Sequence, residues 1–260
     1  MILFKRVGES FGRIEGREWA LLFLETLGVV GGILIAFELN EWASRRAEAA
    51  RHRQLMERLF EESEQDVAIV RDLRDTMRKI TKNESDFATA LSKGFCPPET
   101  QWQAVQTIGM FPSFRAPRSV YEELMGAGGL SSISQPEVRK AVAIFNLTLD
   151  WSQKQNDFFR STATDVVGVD DPRMSLTYDR AGDELLASKF DRARLCGDHQ
   201  FKNRMASATR NHVVIKSLHD SVTEQAIAMC GALAQSLGRK CEPTFGGPLS
   251  PEDSRSLRGS

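Results

Sequence analysis

The run from Trp19 to Trp42, WALLFLETLGVVGGILIAFELNEW, constrains what this chain can fold into more than any other stretch. A helix rising about 1.5 Å per residue covers roughly 35 Å between the two tryptophans, the depth of a bilayer with an aromatic at each interface. Thr26 to Phe37 carries no charge, but Glu25 and Glu38 cut the strictly apolar run to a length that a buried soluble helix also reaches. The flanking Trp pair and the glycines favour the membrane reading. A cleaved signal peptide fits less well, because the charged stretch ahead is long, Glu25 interrupts the apolar region and no small-x-small site follows. The expectation is a transmembrane helix over 19–42.

Residues 1–18 read as an amphipathic interfacial segment. Leu3, Phe4, Val7, Phe11 and Ile14 recur on one helical face, with Lys5, Arg6, Glu9 and Arg13 on the other. Gly8, Gly12 and Gly16 each weaken such a helix by about 1 kcal/mol, so a frayed tail is the alternative. Orientation by the positive-inside rule is a tie, with Lys5, Arg6, Arg13 and Arg17 on one side against Arg45, Arg46, Arg51 and Arg53 on the other. Cys96, Cys196, Cys230 and Cys241 lack C-x-x-C spacing, which leaves two disulfides in an oxidising compartment or four separate thiols in a reducing one. The even count tips the domain towards the periplasm. If it is exported, Cys230 and Cys241, bracketing the Gly238 stop, are near enough to be bridged.

From Trp42 to Gly94 there is no Pro or Gly, and Met56, Leu59, Phe60, Val67, Val70, Leu73, Met77, Ile80, Phe87 and Leu91 recur at helical spacing. Ser63, Asp66 and Glu84 interrupt that seam, which suits a bundle better than a two-stranded coiled coil. A short amphipathic stretch around Trp102, Val105 and Ile108 follows. Two capping boxes, Ser119-Val-Tyr-Glu122 and Ser134-Gln-Pro-Glu137, predict helix starts, the second with an inward face of Val138, Val142, Phe145, Leu149, Phe159 and Val166. Residues 168–183 read as a loop, 185–195 as a short helix, and a last long helix carries Phe201, Met205, Ala208, Ile215, Leu218, Val222, Met229 and Leu233. No strand pattern of useful length appears. The fold class expected is all-α: one N-terminal transmembrane helix (19–42), a helical bundle of about three long and a few short helices (43–242), and a disordered tail (243–260).

A net charge of -1 argues against nucleic acid as a partner. There is no G-x-S-x-G, P-loop, H-E-x-x-H or G-x-G-x-x-G, and no Glu-x-x-His pairing of a di-iron bundle. His212 and His219 lie about 10.5 Å apart along a helix, too far to share a metal, and read as surface or groove residues. Asp198 and His199 beside Cys196 make only a weak metal pattern, and Glu61, Glu62 and Glu64 read as a solvated face. Neither an enzyme nor a cofactor or metal site is expected. Tyr121, Glu122 and Gly126, next to the glycine run ending at Gly129, are a partner-loop candidate, though a plain helix start and stop explains them more simply.

Two stretches carry a resemblance. Gly32-Ile-Leu-Ile-Ala36 with Asn40-Glu-Trp42, and Ser119-Val-Tyr-Glu-Glu-Leu with its following glycines and Leu130, resemble a family of bacterial membrane proteins catalogued as domain of unknown function 6090. That family often has Gly before the first Glu of the anchor, where this chain has Leu24. The resemblance implies a bacterial inner-membrane protein with this architecture, and brings no reaction, ligand or catalytic residue with it.

The function expected is a membrane-anchored helical interaction or sensory module that contacts lipid, forms a homo-oligomer and presents its bundle to a protein partner. Gly28, Gly32 and Ala36 share one face of the anchor with Glu25, all within about 80°. The alternative is an oligomeric channel with Glu25, the intramembrane polar residue, facing a central axis.

Overall fold

The computed structural model describes residues 16–163, 165–178 and 186–256. Residues 1–15, and with them most of the expected interfacial segment, lie outside that range. The described residues are mostly helical, so the all-α reading holds apart from one small hairpin. The chain divides into two compact units at Leu55 and Met56, beyond the boundary expected at Trp42.

The first unit contains the N-terminal part of α1 (Gly16–Ser92). Among the described residues this is one helix long and apolar enough to cross a membrane, with a mean hydropathy of 1.5 in its apolar window and none of that window buried.

The second unit starts at Met56 and includes the rest of α1, which stops where Gly94 takes φ +82°, a backbone conformation open to glycine. A 3-10 turn (Glu99–Gln101) and α2 (Gln103–Thr107) follow, then α3 (Ser119–Gly126), a second 3-10 turn (Gly129–Ser132) and α4 (Pro136–Thr162). Strands β1 (Met174–Tyr178) and β2 (Leu186–Phe190) pair antiparallel, Leu176 opposite Ser188. The chain ends with α5 (Arg192–Gly197), α6 (His199–Leu237) and α7 (Asp253–Ser256). Helices α4 and α6 pack along each other.

The 3.6-residue periodicity explains the core. Met56, Leu59, Phe60, Val67, Val70, Met77, Phe87 and Leu91 of α1 are buried, as are Val138, Val142, Phe145 and Leu149 of α4 and Phe201, Met205, Ile215, Val222, Met229 and Leu233 of α6. One end is aromatic: the Trp102 ring stacks on Phe201 at 5.8 Å and meets Phe87 edge-on at 5.2 Å, while its Nε1 donates to the Pro97 carbonyl at 3.1 Å. Two disulfides, Cys96–Cys196 and Cys230–Cys241, close the unit, the second joining the pair expected around the Gly238 stop.

Several expectations are corrected. The helix expected over 185–195 is a strand in its first half: β2 occupies 186–190, and helix begins only at Arg192, where Asp191 accepts from the Arg194 amide. The 168–183 loop contains β1, whose partly exposed hairpin carries little alternation. Helix α4 stops at Thr162, so Val166 is buried from a loop rather than from the helix face. Neither capping box forms, since neither helix receives a side-chain hydrogen bond from its N-cap residue; Pro136 opens α4 at its first position instead. The tail from 243 is not disordered over its described part, because Asp253 is buried against Arg71 and Arg74 of α1.

Because Trp102 joins three aromatic rings, we expect Trp102→Ala to cost about 3–5 kcal/mol in urea denaturation of the detergent-solubilised chain. A loss below about 1 kcal/mol would show that this cluster is not the centre of the core.

Candidate functional site

In the anchor segment Leu21, Phe23, Leu24, Leu27, Val29, Val30, Ile33, Leu34, Ile35, Phe37, Leu39 and Trp42 are all more than half exposed or close to it. Trp19 lies on the same helix. A methyl group added at Gly28, Gly31 or Gly32 would meet nothing within 4 Å, and Glu25 and Ala36 are exposed. In water such a continuous apolar surface is rare, because its removal from water is worth about 25 cal/mol per Å². The helix closes its own backbone hydrogen bonds, as hydrocarbon demands.

The second unit contains a seam of buried polar groups: Asp66 and Glu84 lie on the inward seam as expected, whereas Glu62, His212 and His219, expected at the surface, are buried as well. Glu62 is buried, not solvated. Its carboxylate accepts from the Val120 amide at 2.9 Å, the Tyr121 amide at 3.2 Å and the Ser119 hydroxyl at 3.1 Å. Those are the unsatisfied donors of the first turn of α3, so a residue of another helix performs the capping expected of Ser119 itself. One turn on, Asp66 is buried with Oδ1 unpartnered. Burial lifts its pKa to about 8, with Glu62 adding to the rise and Arg118 opposing it.

Tyr121, Glu122 and Gly126, the expected partner loop, fall on α3. Tyr121 is half-buried with the Arg118 guanidinium 5.2 Å over its ring, whereas Glu122 and Gly126 are exposed. Neighbouring Glu123 pairs with Arg58 of α1. The Glu62 cap and this pair hold α3 on α1, which accounts for the sequence pattern structurally.

His212 and His219 are buried, not superficial. Nδ1 of His212 lies 2.8 Å from Oε2 of Glu84, which is equally inaccessible, and Oε1 of Glu84 accepts from the Thr107 hydroxyl at 3.1 Å. The Phe111 ring meets His212 edge-on at 5.0 Å. His219 packs on Phe114 at 4.3 Å, and neither ring nitrogen makes a well-formed hydrogen bond. Burial lowers its pKa to about 4, against the backbone of Leu73 and Pro112 and the charge of Asp220, which favour the imidazolium. The proline-containing loop over both histidines is pinned by Asn156 to the carbonyls of Phe111 and Pro112 and by Gln153 to that of Phe114.

Asp198 and His199 do not form a metal site. Asp198 caps α6 through the Gln200 amide and pairs with Arg173, and Cys196 is in a disulfide. Among the described residues, no group of three or more His, Cys, Asp or Glu is arranged to hold a metal ion. Compared with family models, curated proteins and solved structures, the chain finds no match.

The two shifted groups act in opposite pH directions. Native Asp66 keeps a proton that the unfolded chain releases near 3.8, so the stability it contributes is full below about 4 and is lost as pH rises through 8. Native His219 refuses a proton that the unfolded chain takes up near 6.5, so its contribution is full above that value and is lost as pH falls towards 4. We expect Asp66→Asn to remove the part of the stability loss that runs from about pH 4 to 8, and His219→Leu the part that sets in as pH falls from 6.5 towards 4. Denaturation of the full chain at a series of pH values checks both, and a curve between pH 4 and 8 that Asp66→Asn leaves unchanged would mean that Asp66 is ionised in the native state.

Proposed function

We propose that this chain is a single-pass protein of a bacterial inner membrane whose N-terminal helix anchors a helical interaction or sensory module facing the periplasm. The observation that carries the reading is the run of exposed large apolar side chains from Leu21 to Trp42, on a helix with no Pro and with Trp19 and Trp42 at the two ends of the run. The disulfides support an exported module, since such bonds persist in oxidising compartments and are rare in a reducing cytosol.

The anchor self-associates through Gly28, Gly32 and Ala36, where small residues let backbones approach and supply the packing that lipid does not. Glu25 lies on the same face, and a carboxylate within the membrane favours a protein or water-lined surrounding. The module has no enzymatic role in this reading. It works by being held at the membrane and presenting helical surfaces to another protein.

Protease added to intact spheroplasts should digest the module, and full protection would reverse the orientation. Gly32→Ile should reduce crosslinked oligomers of the full chain in native membranes, whereas an unchanged crosslinking pattern would remove the small-residue face as the interface. A reproducible unitary current from purified protein in planar bilayers would replace this reading with a channel.

A further inference from the structure

The segment after the second disulfide, residues 242–256, lies across the helical unit as a strap, and polar contacts hold it there. Its amide at Glu242 donates to Oε1 of Glu64 at 2.8 Å. Arg71 donates to the carbonyls of Gly247 at 3.1 Å and Pro248 at 3.2 Å, and its Nε lies 3.3 Å from Oδ2 of Asp253. Arg74 Nη1 donates to Oδ1 of Asp253 at 2.6 Å, and Arg78 reaches Glu252 at 3.4 Å. Ser250 and Asp253 cap each other, the Ser250 hydroxyl donating to Oδ2 at 2.8 Å and accepting from the Asp253 amide at 3.0 Å. Among the described side chains of the strap, the buried one is Asp253, while Phe245 is half exposed and Leu249 only partly covered.

A segment held this way contributes little apolar burial, so another carboxylate of similar geometry competes for the same contacts. With the strap in place Arg74 and Arg71 are only 8% and 12% exposed, and Arg74 also pairs with Asp75 at 3.0 Å. Lifting the strap takes the Asp253 carboxylate from both guanidinium groups and leaves donors that another carboxylate satisfies. Beside the strap is an open groove of about 1590 Å³, with Pro248 and Leu249 on one side and residues of α4 and α6 on the other, where Ala141, Ile144 and Ala228 stand among the charged Glu137, Lys140 and Glu224. The strap also has the means to leave without being lost: Gly246 and Gly247 take φ +78° and +76°, and the Cys230–Cys241 bond tethers its beginning.

We propose that Arg71 and Arg74 form a binding site for an acidic peptide segment of a partner protein that extends into the neighbouring groove, and that the chain's own strap occupies the two arginines as a displaceable internal ligand. The partner segment resembles the strap chemically: an aspartate or glutamate for the two arginines, a preceding serine to orient it, and small or proline residues for the groove. This rests on the reading of the helical unit as an interaction module, but not on self-association of the anchor, so crosslinking through Gly32 and peptide binding here fail separately.

The probe is a fluorescent synthetic peptide of residues 246–256, added to the full-length protein in detergent. In Asp253→Asn, amide exchange across 247–254 should accelerate and the peptide should bind at least about tenfold more tightly than to the wild type, because a tethered ligand competes at an effective concentration in the mM range. Adding Arg74→Gln should abolish that gain, and a probe with Asn in place of its Asp should not bind. If Asp253→Asn leaves amide exchange unchanged, a chain terminated after Thr244, which keeps both disulfides, replaces it and should bind the peptide. Failure of a strap-released protein to bind, or binding indifferent to Arg74 or to the peptide's carboxylate, would overturn the proposal and leave the strap as a structural cap.

Discussion

An ionisable group without access to water has to find its partners inside the protein, and three of the four buried on α1, Glu62, Arg74 and Glu84, each draw another element onto the helix. Each fixes a different element. Glu62 takes the first amides of α3, Arg74 takes the aspartate of the C-terminal strap, and Glu84 takes His212 of α6 together with Thr107 at the end of α2. An apolar seam alone accepts helices slid by a turn, since one leucine is much like the next. A turn of slippage here strands a carboxylate or a guanidinium in the interior, at a cost of several kcal/mol. The hydrophobic contacts supply most of the driving force, and these polar contacts select which packing it is spent on.

The same arrangement makes the interior responsive to protons in two senses. Asp66 sits beside the Glu62 cap with one oxygen unpartnered, and His219 sits between Phe114 and α1 with no well-formed hydrogen bond. Both favour their neutral forms because burial outweighs the nearby opposite charges. Their distance from the apolar window of the first unit is a matter of sequence: the window lies before residue 55, and every group of the seam after it. The exposed apolar stretch and the internal polarity thus belong to separate parts of one helix.

Much of this was legible in the sequence, for a physical reason. The apolar N-terminal stretch, the long uninterrupted helix and the inward faces of α4 and α6 follow from apolar periodicity and from where Pro and Gly stand. What stayed hidden depends on partners distant in sequence. Glu62 stands between Glu61 and Glu64 and looks like one of a solvated trio until α3 is placed on it. His212 and His219, seven residues apart, share one helical face, but whether the face at His212 points in or out depends on Glu84, 128 residues away. The strap looked disordered because it has few large apolar residues, and its attachment is a single buried carboxylate. The hairpin's five-residue strands, MSLTY and LASKF, are too short for alternation to stand out.

The Cys96–Cys196 bond has a consequence for the chain as a covalent object. It joins positions 100 residues apart, whereas Cys230–Cys241 spans 11. Closing a loop of about 100 residues lowers the entropy of the unfolded chain by an amount worth about 4.7 kcal/mol at 25 °C in the chain-entropy view, so denaturation yields a ring with two tails. Everything from the first 3-10 turn to β2 lies inside that ring. A single peptide-bond break anywhere within it therefore opens the ring without releasing a fragment, and the nicked molecule stays one particle until a reductant reaches the bond.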